Sequence, residues 1–304
     1  GGPALVHCGP FANIAHGCSS VLATELGLGL SDYLVTEAGF GFDLGGEKFL
    51  DLKCRQLGVW PRVVVLVATL RALKLHGGGG VAKAGGPLPA SLTGPNQDAL
   101  SKGIENLKQH VANVLAHGVP VVVAVNAFKD DPQGELDWVR EQSMNMGAVD
   151  AAVSTHWADG GKGSEQLAAA VAKAVKMPGR FRHLYDASWS IRKKIETIAV
   201  RMYGAAGVHF EPEAERQIDS AEALGYGNLP VCMAKTPLSL SHDSTLKGRP
   251  TGFVVPIKEL RILAGAGFVT AVCSGIQLMP GLPKKPAGER ISINPTSGKI
   301  VGLS

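Results

Sequence analysis

Two nearly unbroken runs of valine with one helix between them constrain this chain more than any other feature. Residues 63–67 and 119–125 are almost entirely β-branched and show no polar alternation. Runs of that kind suit strands buried on both faces of a parallel sheet. Between them Leu100, Ile104, Leu107, Val111, Val114 and Leu115 recur at helical spacing and share one face. Gly118 then supplies a C-cap and Pro120 a stop. The whole reads as a βαβ unit. Two further β-like runs lie at residues 33–36 and 148–153, the second after a shorter helix near residues 135–146. Alternating strands and helices predict an α/β fold with covering helices on a parallel sheet.

The texture changes near residue 178. Ile191, Ile195, Ile198 and Met202 mark a second amphipathic helix, and beyond Leu224 the chain is rich in glycine and proline. A separate, looser and smaller α+β domain is expected there. With 304 residues the chain has room for about two domains. The expected division is 1–57 as a remnant of a larger N-terminal domain, 58–177 as the α/β domain and 178–304 as the C-terminal α+β domain. An apolar share of 45% against 18% charged residues supplies a core and argues against disorder. A net charge of +4, carried by scattered Lys and Arg, argues against nucleic acid as partner. No apolar run approaches the roughly 20 residues of a membrane span. Cys8, Cys18, Cys54, Cys232 and Cys273 are odd in number and form no C-x-x-C pair. That argues against a disulfide scaffold and for a reducing compartment, whether cytoplasm or an organelle such as a mitochondrion or plastid. The chain starts at Gly1 without Met and runs at once into apolar residues, as a fragment or a processed product would.

Ligands of open parallel sheets bind at the carboxyl ends of the strands. The run 119–125 leads into Asn126, Ala127 and Phe128, and the run 148–153 into Ser154, Thr155, His156 and Trp157. Phe128 and Trp157 therefore reach one rim of the sheet. Either they stack on a flat heteroaromatic ligand, at about 1 kcal/mol per contact, or they cap the core beneath the loops. A second string, from Thr36 to Phe49, mixes glycines with acids and a Lys; it is either a ligand-cradling loop or an ordinary turn. His7, Cys8 and His16 fit no zinc-ligand spacing. Lys74 and His76 precede Gly77 and Gly78, which suits either a phosphate contact or a solvated helix end. The string G-x-x-x-x-G-K-[ST] occurs nowhere; Gly160-Gly161-Lys162-Gly163-Ser164 has its first glycine misplaced.

Nine strings in order resemble formate–tetrahydrofolate ligases: GPFANIAHG (9–17), VTEAGFG (35–41), DLGGEKF (43–49), KCR (53–55), VATLRALKLHGG (67–78), VNAF (125–128), WADGGKG (157–163), YGNLPVCMAKT (226–236) and MPGLPKKP (279–286). The resemblance covers essentially the whole chain. It implies a P-loop-NTPase-like or Rossmann-like sheet and the ATP-dependent joining of formate to tetrahydrofolate through formyl phosphate. It implies ATP with Mg2+ and tetrahydrofolate as substrates, and a monovalent cation. No metal-ligating residue is assigned. Phe128 and Trp157 would hold the pterin, with Asn126 and Val153 lining the same pocket. Phe40, with Gly39 and Gly41, would lie at the formyl-phosphate site. Lys74, Ala234, Lys235 and Thr236 would serve the nucleotide and its phosphates. The family's P-loop has no counterpart in this chain, so the expected partner is the missing N-terminal part, or further copies in a homo-oligomer. Phe42 stands where the family usually has a small residue. The alternative is a ligase-derived structural or assembly subunit without catalysis.

Overall fold

The computed structural model describes residues 4–5, 11–82, 86–276 and 284–302. His7, Cys8 and the start of the first string lie outside these residues, as do residues 279–283 of the last.

Helix α1 (Val21–Leu30) starts at Ser20, whose Oγ accepts the Ala23 N–H at 3.1 Å and so satisfies one of the free donors of the first turn. Residues 33–36, expected as a strand, form none. A strand needs a neighbour to take its backbone groups, and among the described residues this segment has none. A helical stretch then runs through residues 42–57. It is wound as two π-helical turns, Phe42–Gly46 and Phe49–Lys53, and ends in Cys54–Leu57.

The expected βαβ unit is present. Strands β1 (Val64–Ala68), β2 (Val121–Asn126) and β3 (Asp150–Ser154) are parallel and lie in that order. Helix α2 (Leu70–His76) follows β1, α3 (Gln97–Ala116) precedes β2, α4 (Gln133–Asn145) precedes β3, and α5 (Glu165–Ala174) covers the far face. Gly118, at φ +71°, ends α3 as expected. Strand β2 is buried on both faces, but β1 is not: Val65 and Val67 are exposed. The second face of the sheet is covered by α5, whose Ala170 and Ala174 pack on Val122, and this cover does not extend over the edge strand.

Helices α2 and α3 meet backbone to backbone. A Cβ at Gly103 would sit 1.7 Å from the Leu73 carbonyl oxygen, and one at Gly77 would sit 1.7 Å from that of Ala99. Only glycine tolerates such an approach.

Beyond α6 (Ile191–Ile198) a second sheet forms, flanked by α7 (Pro212–Ala223). Its strands β4 (Gly207–Phe210), β5 (Val231–Ala234), β6 (Val254–Leu263) and β7 (Phe268–Cys273) lie in the order β4-β6-β7-β5. The outer pairs are parallel and β6 runs antiparallel to β7. The molecule is thus α/β, with one parallel sheet, one mixed sheet and a short antiparallel pair, Ser292–Ile293 with Ile300–Val301. One apolar cluster runs from Cys18 through α3, β2 and α6 to Cys273, joining both sheets through the 42–57 helix. No helix among the described residues is long and apolar enough to cross a membrane.

Leu100 on α3 is fully buried in this cluster. Leu100→Ala is expected to cost about 2–5 kcal/mol, read as a lower midpoint in urea unfolding.

Candidate functional site

The first site lies where β2 and β3 end level. Val125 pairs with Val153 and Asn126 with Ser154, and the Ala127 N–H donates to the Ser154 carbonyl at 2.9 Å. This register sends Phe128 and Trp157 out from neighbouring strand ends, as the sequence suggested. The Phe128 N–H donates to Asp131 Oδ2 at 2.9 Å, and the Arg71 guanidinium lies 3.8 Å from the Phe128 ring centre. Trp157 sits in a single helical turn, His156–Asp159, that Thr155 steadies by donating to Asp159 Oδ2 at 2.6 Å. The loop closes where the Thr155 N–H meets the Gly163 carbonyl at 3.0 Å. Trp157 is 88% exposed, so it does not cap a core. Val153 is half-buried against the main cluster. Asn126 Oδ1 is buried and, among the described residues, accepts no hydrogen bond. An orphaned acceptor costs about 1–3 kcal/mol, and a donor on a polar ligand would remove that cost.

The second group surrounds the loop at residues 39–41. Phe40 takes a left-handed backbone, φ +62°, and meets Phe11 edge to face at 5.6 Å. A non-glycine residue there stores strain, which functional loops often do. The Gly39 N–H donates to the Gly17 carbonyl at 3.0 Å, and the Gly41 carbonyl accepts from Leu44 and Gly45 at 3.0 Å each. One residue into the helix, Asp43 forms a buried ion pair with Lys235 at 2.6 Å. His110 Nδ1 of α3 lies 3.9 Å from the other Asp43 oxygen. Lys235 also donates to the carbonyls of Thr236 and Ser239, at 3.1 and 2.6 Å. Ala234 is the buried last residue of β5, and Thr236 Oγ1 accepts from the Leu238 N–H at 3.2 Å.

Lys74 is neither at a solvated helix end nor open to solvent. It is fully buried, ion-paired to Glu135 of α4 at 2.6 Å, and donates to the Gly94 carbonyl at 2.7 Å. Lys74 and Arg71 lie on α2 about one turn apart, so the buried pair anchors the helix that holds Arg71 over Phe128. Neither Lys74 nor Lys235 presents a free ammonium.

The sequence alone assigns no role to Asp43, Arg71, His110 or Glu135, although Asp43 and Arg71 both lie in the strings that carry the resemblance. The one available signal was a charge or His interrupting an otherwise apolar face. His110 falls between Leu107 and Val111 of the α3 stripe.

The 42–57 helix buries an unusual set of charges: Asp43, Glu47, Lys48, Asp51 and Lys53. Asp51 accepts from the Leu184 N–H at 2.9 Å and faces His183 at 3.3 Å and His117 at 3.8 Å. Burial pushes His117 and His110 below the usual imidazole range, and it takes His76 down to about 4. Glu47 has both oxygens buried without a hydrogen-bond partner among the described residues. Burial, reinforced by the nearby Asp51 carboxylate, raises its carboxyl well above the usual range.

Lys74→Met is expected to cost about 3–5 kcal/mol, because it leaves Glu135 charged and buried. Adding Glu135→Gln should recover most of the loss in the same unfolding assay. Glu47 acts through pH. The unfolded chain loses this proton near 4.5 and the folded chain keeps it to higher pH. The stability it contributes is therefore complete in acid and lost as pH rises through the folded value. Glu47→Gln should raise the thermal midpoint at pH 8 more than at pH 4.5, read by calorimetry. The buried histidines act with the opposite sign and weaken the fold as pH drops from about 6.5.

The family model for formate–tetrahydrofolate ligase matches residues 1–304. The formate–tetrahydrofolate ligase of Roseiflexus sp. (strain RS-1) is 53% identical over the whole chain, which covers 54% of that protein. That of Saccharopolyspora erythraea is 51% identical over 302 residues, covering 99% of this chain and 53% of its own length. The human cytoplasmic C-1-tetrahydrofolate synthase is 48% identical over 306 residues, covering 100% of this chain and 33% of that protein. The chain thus spans about half the length of the two formate–tetrahydrofolate ligases and a third of the synthase. A match along every residue, at about half identity, makes this chain a member of the formate–tetrahydrofolate ligase family.

Proposed function

We propose that this chain supplies the folate-binding and formyl-transfer part of a formate–tetrahydrofolate ligase. The observation that carries the reading is the rim on which Phe128 and the exposed Trp157 leave adjacent, level strand ends. An indole with no partner ring among the described residues, beside a phenyl already backed by Arg71, is suited to grip a flat pterin. Asn126 Oδ1 offers the acceptor that a pterin N–H would fill, and Val153 closes the pocket from the neighbouring strand.

In this reading formate attacks the γ-phosphate of ATP, forming a carbon–oxygen–phosphorus link as ADP leaves. The N10 amine of tetrahydrofolate then attacks the formyl carbon and phosphate departs. Phe40, between Gly39 and Gly41, lies on the formyl-phosphate side. Lys74 and the segment 234–236 serve the nucleotide side through position, since both ammoniums are held by carboxylates. The fold is read as the P-loop-NTPase-like or Rossmann-like type, in the three parts 1–57, 58–177 and 178–304. Mg2+ would arrive with ATP. No set of three His, Cys, Asp or Glu side chains among the described residues is placed to hold a metal, so neither Mg2+ nor a monovalent cation is assigned a residue or a step. The first step needs electrostatic stabilisation of the transferred phosphoryl. These 304 residues contain no G-x-x-x-x-G-K-[ST] string to provide it, so that machinery belongs to a partner segment. The same absence favours a second reading, a ligase-derived subunit with a structural role. The buried cysteines suit a reducing compartment, cytoplasmic or organellar.

Trp157→Ala is expected to weaken tetrahydrofolate binding by about 1–3 kcal/mol, roughly 5- to 150-fold, in calorimetric titration of the purified chain. Unchanged affinity would remove Trp157 from the pocket, and a wild-type chain that binds no tetrahydrofolate would favour the structural subunit.

A further inference from the structure

The segment at residues 21–38 has the surface of a buried element and the solvent exposure of a loop. Helix α1 reads VLATELGLGL, with Glu25 its one charged residue. A helix apolar on all sides belongs inside a protein. Here Thr24 and Gly27 are its buried residues, while Leu22 and Leu30 are 75% and 74% exposed. What holds it is local: Lys53 donates to Thr24 Oγ1 at 2.7 Å, and the Leu34 side chain lies over Gly27.

Residues 33–38 continue the anomaly. Tyr33, Val35 and Glu37 are exposed and Leu34, Thr36 and Ala38 are half-buried, in strict alternation. That is the period of a strand with one face on a core. The sequence reads as a strand as well, yet none forms, and Val35 is 92% exposed. Ala38 makes a single antiparallel bridge to Cys18 and Thr36 Oγ1 donates to Ser19 Oγ at 3.1 Å, but residues 33–36 join no strand, so helix and segment form a layer that lacks its sheet. An apolar face of this kind marks an interaction site.

The length of the relatives identifies the occupant. This chain covers 54% of the Roseiflexus sp. ligase, so nearly as much polypeptide again lies outside it. We infer that α1 and residues 33–38 form the docking surface for that remaining part of the ligase. The part contributes a strand alongside residues 33–36, in the manner of strand addition, and an apolar layer over Leu22, Leu26 and Leu30. The inference depends on family membership and not on the folate pocket, so either can fail without the other.

Amide exchange in this chain alone, compared with the full-length Roseiflexus sp. ligase, tests it. Residues 21–38 should exchange at least tenfold faster in the chain than the matching segment does in the relative, with α3 alike in both. Equal exchange overturns the inference. Co-expression with the unmatched part of the same ligase should give a 1:1 complex by native mass. Leu22→Asp with Leu26→Asp should cut its yield at least tenfold and leave the thermal midpoint of the chain unchanged. A complex that ignores these substitutions overturns the surface assignment. A homodimer of the chain that the substitutions dissociate overturns the assigned occupant, because a second copy then uses the face.

Discussion

The ion pair between Asp43 and Lys235 connects parts of the chain that nothing in local sequence brings together. Asp43 opens the 42–57 helix, and Lys235 follows the last residue of β5 in the second sheet. His110, beside the pair, belongs to the helix that packs on the first sheet. A buried pair of this kind gains little over apolar packing of the same shape, but it is costly to break on one side. Its effect is to permit one relative position of the two sheets. The strained Phe40 backbone sits three residues from Asp43, and so inherits that position. Asp51 repeats the principle further along the helix, joining the residues after the first sheet through Leu184 and His183.

The βαβ unit was legible because its signals agree. Continuous valine, a 3.6-residue stripe and a Gly–Pro stop all favour one local structure, and packing has only to accept it. The rim was legible for the same reason, since strand ends place Phe128 and Trp157 whatever lies beyond them. The segment 33–36 has an equally good strand pattern and forms no strand. Pattern reports what a residue prefers, whereas a strand also needs a neighbour. Val65 and Val67 in β1 show the milder form of this failure. Their strand exists, but as an edge, and valine content does not say whether a second layer covers it.

The polar interior was the least legible part. Lys74 looked like a phosphate ligand or a frayed helix end, and is instead buried against Glu135, 61 residues away in sequence. Charges inside a protein are chosen in pairs, and a single sequence does not mark which acid belongs to which base. Residue strings carried the identity of the family without revealing such pairs: Lys74 lies in one of them and its partner Glu135 in none. The roles of Arg71 and His110 come from geometry alone, 3.8 Å over a ring in one case and beside a buried carboxylate in the other.

The bare contact between α2 and α3 has a consequence for the aromatic rim. Gly77 and Gly103 let the two backbones touch, with no side chain between them to act as a cushion. Two helices in that state transmit displacement almost as one solid body. A single methyl group added at Gly103 would push α2 along with its whole cargo, and Arg71 would shift over the Phe128 ring. The aim of the rim is thus set by two residues that carry no side chain, the way a gunsight depends on the flatness of its mount.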